Sequence, residues 1–316
     1  MWTTLNNNYF GELLVKNWTS YSAASLGYRG ITWSPELGIF CAIAQNVTNG
    51  TIISSDGIVW NNSTTGLNAE LWNDVLWVSE LGLFIACCEG GVVQNIATSP
   101  DGLNWTMRTG AEPNNWFNIA WSPELQILCC VGNSGTNRAM TSPDGINWTA
   151  QNAGLSGWRS VAWSSELGIF CALSPNGTER AGTSPDGVTW TLHTVPDDLF
   201  WRDITWSPSY GFCGISSTDA GNGQVGLSPD GINWTIYPAT STETWFCIEW
   251  VNELGLFIAL AIGASEPLMI SSDGISWVTP VNIPSNSWRD LTWSPQLGIV
   301  CAVSSSGIRT LRTTLD

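Results

Sequence analysis

A tryptophan closes a short β-rich run seven times along this 316-residue chain, at Trp33, Trp77, Trp121, Trp163, Trp206, Trp250 and Trp293. The intervals are 44, 44, 42, 43, 44 and 43 residues, the length of one four-stranded propeller blade. Helical solenoids of similar period need apolar residues three and four apart. Here the segments are short, rich in Trp, Ile, Val and Thr, and separated by Gly, Pro, Ser and Asn, which is strand and turn chemistry.

The third copy reads WFNIAW, SPELQ, ILCCVG, a variable polar loop, then AMTSPDGINWTAQ. WFNIAW is a strand with alternating faces, and Ser-Pro-Glu-Leu-Gly in the fuller copies is a tight turn in which Pro presets φ and Gly accepts φ > 0. The following apolar run predicts a strand buried on both faces. The Ser-Pro-Asp-Gly-x-x-Trp segment predicts a second hairpin leading to the outer strand.

The 21 Trp residues test this division. Trp72, Trp116, Trp158, Trp201, Trp245 and Trp288 open the first strand, with Tyr28 in the same slot of the first copy. Trp60, Trp105, Trp148, Trp190, Trp234 and Trp277 follow the second hairpin, and Trp18 matches that slot. With the seven repeat tryptophans, only Trp2 stands outside the pattern, and packing between blades accounts for the rest. Cys41, Cys129 and Cys171 each precede a turn aspartate by 15 residues, as Cys301 precedes Asp316. Thr314-Leu315-Asp316 therefore aligns with Ser-Pro-Asp, and Val15-Lys16-Asn17-Trp18 with the segment that follows it. The expected fold is all-β: a seven-bladed β-propeller of four-stranded antiparallel blades over residues 15–316, closed by an N-terminal outer strand that completes the C-terminal blade. Closure of this kind leaves no open sheet edge. Residues 1–14 fit no blade and are expected to form an extension that docks onto a partner.

Composition narrows the function. Ten Lys+Arg against 26 Asp+Glu give a formal net charge of -16, which argues against a nucleic-acid partner, and no apolar run is long enough for membrane insertion. Met1 to Ser20 lacks the basic start and apolar middle of a secretory signal, so synthesis in the cytoplasm without a signal peptide is expected. Of nine cysteines, Cys41, Cys87, Cys129, Cys171, Cys213 and Cys301 share one repeat position; equivalent positions of a ring lie too far apart to pair. No CxxC pair and a single His indicate no metal site, and no cofactor is indicated.

The turn segments, such as Ser99-Pro100-Asp101-Gly102-Leu103-Asn104-Trp105, resemble the Asp-box repeat of propellers that include sialidases, in a variant with one residue fewer between Asp and Gly. The resemblance covers about Val15 to Asp316. It implies a structural role for Asp56, Asp101, Asp144, Asp186, Asp230, Asp273 and Asp316, as folding devices on the blade rim found in enzymes and binding proteins alike. The joint pattern of WSPELG and SPDGxxW also resembles repeats in proteins of tailed phages and large DNA viruses. That implies a location in the virion, in a tail, fibre or surface protein.

Arg29, Arg159, Arg202 and Arg289 each follow the first aromatic of a blade, near the start of the innermost strand. Asp74, Asp203 and Asp290 come one residue later in their copies. Strand alternation sends Arg and Asp to opposite faces, so one reading is ion pairing between blades. The other is a ligand-binding site at the channel mouth, where a cationic ring in an acidic protein concentrates an anion. A sialidase-like site needs a Tyr nucleophile with a carboxylate partner, and the five Tyr residues follow no pattern that singles one out, so no catalytic residue is assigned. The sequence therefore points to a non-enzymatic binding or scaffold propeller with virion or assembly proteins, or a host glycan, as partners. The alternatives are a glycan-acting hydrolase and an intracellular assembly factor. The loops between second and third strands differ most from copy to copy and are where recognition is expected.

Overall fold

The computed structural model describes residues 19–22, 26–63, 66–154, 156–217, 223–241, 243–263, 265–280, 283–305 and 309–314. The extension at 1–14, Trp18 and Asp316 lie outside them.

Every described element is a β-strand. After β1 (Thr19–Ser22) the chain lays down one antiparallel sheet after another. The first is β2 (Tyr28–Ser34), β3 (Ile39–Ala44), β4 (Thr51–Ser54) and β5 (Asn61–Asn62); the second is β6 (Leu71–Val78), β7 (Leu83–Glu89), β8 (Ile96–Ser99) and β9 (Thr106–Arg108). The third is β10 (Trp116–Ser122), β11 (Ile127–Gly132), β12 (Ala139–Ser142) and β13 (Thr149–Gln151), and the fourth β14 (Ser160–Ser164), β15 (Ile169–Leu173), β16 (Ala181–Ser184) and β17 (Thr191–His193). The fifth is β18 (Phe200–Ser207), β19 (Gly211–Ser217), β20 (Gln224–Ser228) and β21 (Thr235–Pro238). Then come β22 (Thr244–Val251), β23 (Leu256–Ile262) and β24 (Leu268–Ser271), and finally β25 (Trp288–Ser294), β26 (Ile299–Ser304) and β27 (Arg309–Thr314).

The expected seven four-stranded blades need correcting. Four-stranded sheets number six among the described residues, and the sheet of β22, β23 and β24 has three strands. Its outer position is reduced to a bridge in which Ile270 and Val278 exchange backbone hydrogen bonds of 2.9 and 3.0 Å. Pro280, two residues on, has no N–H to extend the ladder. In the fifth sheet the corresponding proline comes later, at Pro238, and the outer strand runs up to it.

The last sheet has the order β1-β27-β26-β25. Thr19 lies across from Arg312 and Ser22 across from Arg309, so the first strand of the chain is the outer strand of its last sheet.

Inner strands neighbour one another in the cyclic order β2, β6, β10, β14, β18, β22, β25 and back to β2. The core lies between consecutive sheets. At the join between the ends of the chain, Ile299, Cys301 and Val303 pack against Tyr28, Phe40 and Ile52. Trp72, Trp116, Trp158, Trp201, Trp245, Trp288 and Tyr28 are all fully buried at the inter-sheet seams. All nine cysteines are free and buried.

The Ser-x-Asp-Gly turns show why this shortened repeat works. In the third copy Ser142 Oγ accepts the Gly145 N–H at 2.9 Å and donates to Asp144 Oδ1 at 3.0 Å. Asp144 Oδ1 accepts the N–H groups of Ile146 and Asn147 at 2.8 and 2.7 Å, and Trp148 Nε1 closes the turn on Gly145 O at 3.1 Å. Gly145 has φ +72, a region that costs any residue with a Cβ. The same Asp contacts recur at Asp56, Asp101, Asp186, Asp230 and Asp273.

Candidate functional site

The residue after the first aromatic of each inner strand decides the geometry of the channel mouth. Register shifts lie between Tyr28 and Gly30, Trp72 and Asp74, Trp116 and Asn118, Trp201 and Asp203, Trp245 and Cys247, and Trp288 and Asp290. Such a bulge puts two residues opposite one and breaks the alternation of faces. In consequence Arg29, Arg202 and Arg289 line one depression together with Asp74, Asp203 and Asp290, plus Asn73, Phe117, Asn118, Phe246 and Cys247; Arg159 and Ser160 join them from the one inner strand whose pairing runs without a shift. The expectation that Arg and Asp point to opposite faces is therefore overturned by the bulge.

The expected ion pairing between blades is not how these carboxylates are used. Asp74 Oδ2 accepts from Ile119 N at 2.9 Å and Asn118 Nδ2 at 2.8 Å, on the next sheet. Asp203 Oδ2 accepts from Ile248 N at 2.9 Å, and Asp290 Oδ2 from Ile31 N at 2.8 Å. Asn118 Oδ1 plays the same part for Val161 N at 2.9 Å. These side chains tie each inner strand to the next, across an interface where an orphaned amide would be costly. A lower layer repeats the device: Thr32 Oγ1 accepts from Trp77 N at 3.3 Å and Thr205 Oγ1 from Trp250 N at 3.1 Å.

The arginines are held by their flanks. Arg29 Nε donates to Gln45 Oε1 at 2.9 Å, Arg202 Nε to Ser217 Oγ at 3.1 Å, and Arg289 Nε to Ser305 Oγ at 2.9 Å. All three acceptors lie at or just beyond the end of a second strand, so the mouth opens on the face that carries the loops between second and third strands. The Arg159 guanidinium sits 4.2 Å from the Phe117 ring centroid and that of Arg202 4.3 Å from Phe200. Phe246 lies beneath three of them, 4.6 Å from Arg289, 5.5 Å from Arg202 and 5.7 Å from Arg159. Stacking on aromatic faces fixes the planar groups and stabilises their charge.

Electrostatics record the crowding. Burial, then the neighbouring guanidiniums, lowers Arg159 and Arg289 to about 10, still charged at neutral pH. Burial pushes Asp74 and Asp203 up to about 6 against the amides that hold them down. Asp290 is also pushed well up by burial, then by Asp74. Deeper in the channel Glu249, in the slot that holds Thr32 and Thr205 in other copies, is pushed to about 8 by burial, with Asp203 and Glu253 adding to it. Its Oε2 has no hydrogen-bond partner.

All four arginines singled out by sequence thus meet in one place. Sequence reasoning missed Asn73, Phe117 and Phe246, although each occupies the slot after the first aromatic that had marked the arginines. The turn aspartates are remote from the mouth and act locally, and Asp316 lies outside the described residues. The turn glutamates do more than turn: Glu36, Glu124 and Glu166 accept the indole N–H of Trp77, Trp163 and Trp206 on the next sheet at 2.6, 2.7 and 2.7 Å. Among the described residues no group of three or more His, Cys, Asp or Glu could hold a metal ion, and no helix is long and apolar enough to cross a membrane.

No family model matches the sequence, and no curated protein matches it. Solved structures do match the fold. Virginiamycin B lyase from Staphylococcus aureus superposes with a TM-score of 0.78 at 11% identity, over 95% of this chain and 100% of that one. YCF48 bound to D1 peptide gives 0.72 at 16% identity over 95% and 96%. The WD40 β-propeller domain of Doa1 gives 0.70 at 13% over 94% and 96%. At these identities the likeness establishes the architecture alone: the chain is an all-β propeller.

Proposed function

We propose that this protein is a non-catalytic binding propeller of a virion, which recognises a partner protein or host glycan with the face that carries the arginine mouth and the loops between second and third strands. The observation that carries this reading is the convergence of four arginines from four sheets on one depression, three of them over Phe246. The groups that hydrolysis would need are otherwise engaged. Asp74, Asp203 and Asp290 accept backbone amides, Ser160 is buried on Asp203, and the one histidine, His193, sits on an outer strand against Thr183 Oγ1 at 2.8 Å. Hydrolysis needs at least an acid or base whose proton-accepting atoms can reach the ligand or an attacking water.

YCF48 with its bound D1 peptide supports protein recognition as a use of this architecture, and streptogramin B lyase keeps catalysis as the rival. The virion assignment rests on the WSPELG and SPDGxxW repeats. Presenting the intact protein to glycan and peptide arrays, with product analysis on every retained ligand, separates the readings. Retention of unaltered ligand is expected, whereas released product would establish a hydrolase or lyase. Immunolabelling of purified particles tests the location, and unlabelled particles would remove the virion from the proposal.

A further inference from the structure

We infer that the channel mouth takes one small oxyanion head group, carboxylate, sulfate or phosphate, while the rest of the ligand stays outside over the loops. This inference rests on the binding reading and narrows it. Size is the first argument. The depression offers a volume of about 70 Å³, well below the roughly 300 Å³ at which pockets begin to enclose a whole drug-sized ligand. A head group fits within it, and a larger ligand must extend outside.

Charge is the second argument. Arg29 and Arg202 lower the proton affinity of Arg159, and Arg29, Arg159 and Arg202 that of Arg289, so an anion among them relieves repulsion as well as adding attraction. The chain's net charge of -16 makes this cluster a local inversion of sign, which concentrates anions at the mouth. Geometry is the third. With Nε of Arg29 and Arg289 engaged by Gln45 and Ser305, and the plane of Arg289 set by Phe246, these two guanidiniums present the N–H pairs at their Nη ends. Paired donors match two oxygens of one head group, and their fixed orientation keeps the ordering cost of binding low.

The other ionisable groups at the mouth set its pH dependence. Asp74, Asp203 and Asp290 lie beside the arginines, Glu89 acts on Arg29 and Arg159, and Cys247 and Glu249 lie near Asp203. As the pH falls through about 6, Asp74 and Asp203 take up protons and the mouth becomes more positive, so anion affinity rises.

The test is calorimetric titration of the intact protein with sodium acetate, sulfate or phosphate at constant ionic strength, against sodium chloride, between pH 5.5 and 7.5. One saturable site that tightens toward pH 5.5 is expected. The preferred anion reports whether the natural head group is a carboxylate or a tetrahedral oxyanion. R289Q should weaken binding about tenfold or more, R289K should recover only part of that loss, and R108Q on an outer strand should leave affinity unchanged. A folded R289Q that binds as the parent does, or equal weakening in R108Q, would overturn the head-group site. Array ligands that survive an R159Q/R289Q double substitution would also overturn it while leaving the binding propeller intact.

Discussion

Carboxylates accept backbone N–H groups in two regions of this molecule, at the rim turns and around the channel, with opposite electrostatic results. At the rim, Asp144 is half-buried and its donors are two and three residues away. Burial raises it, but the amides of Asn147 and Ile146, the Asn147 side chain and the Ser142 hydroxyl together outweigh that and hold it down at about 2. In the channel, Asp203 takes its amide from Ile248, 45 residues on; burial dominates and pushes it to about 6. Rim aspartates shape a turn that local sequence already favours. Channel aspartates hold sheets together and bear the cost of desolvation that goes with it.

If that difference is real, truncation should expose it most strongly. D203A leaves the amides of Ile248 and Ile204 without their side-chain acceptor and the Ser160 hydroxyl with Asn118 Oδ1 alone, and should cost about 3 kcal/mol. D144A, whose donors can turn to water, should cost about 1 kcal/mol. Urea unfolding of the two variants decides it, and equal losses would erase the distinction.

The pH dependence of stability gives a finer test because the two sets carry opposite signs. Asp144 is lowered on folding, so its contribution is present above the unfolded pKa near 4 and is lost as pH falls toward 2. Asp74, Asp203 and Glu249 are raised, so theirs is fully present below about pH 4 and is lost as pH rises through about 6 and about 8. Stability should therefore peak between about pH 4 and 6. E249Q should flatten the alkaline limb, making the protein about 1–2 kcal/mol more stable than the parent at pH 8. An unchanged limb would show that Glu249 titrates normally.

The smallest effect belongs to the face opposite the arginines. Glu124 accepts the Trp163 indole N–H at 2.7 Å, but it is exposed, and E124Q keeps an acceptor there. Its melting temperature should move by less than about 1 °C, and a larger drop would rank these glutamates with the channel ties.

Much of this was legible in the sequence because the repeat is written in residues with narrow conformational uses. Tryptophans at fixed intervals marked the sheets, and Ser-x-Asp-Gly marked turns that need φ > 0 at the glycine. The spacing of Cys301 from the chain end also pointed to the partnership between β1 and β27. The bulge was not legible. No residue type announces it, since Arg29, Asn73 and Phe246 all occupy the slot after the first aromatic, and it is set by how inner strands crowd the axis. Without it, alternation gives the wrong faces for Arg and Asp and hides the amide ties, which are contacts over more than 40 residues. The thin outer edge of the sheet holding β22 was not read from the sequence, because all copies share one turn and the count of strands depended on a single ladder rung beside Pro280.

The pairing of β1 with β27 has a mechanical corollary. Thr19 faces Arg312 and Ser22 faces Arg309, so the chain enters β1 and leaves β27 at the same end of the ladder. Tension applied through both flanks loads the rungs one after another, as a zipper, instead of shearing them all at once. A ring shut in this way is weaker against a pull from that one side than against shear along its strands.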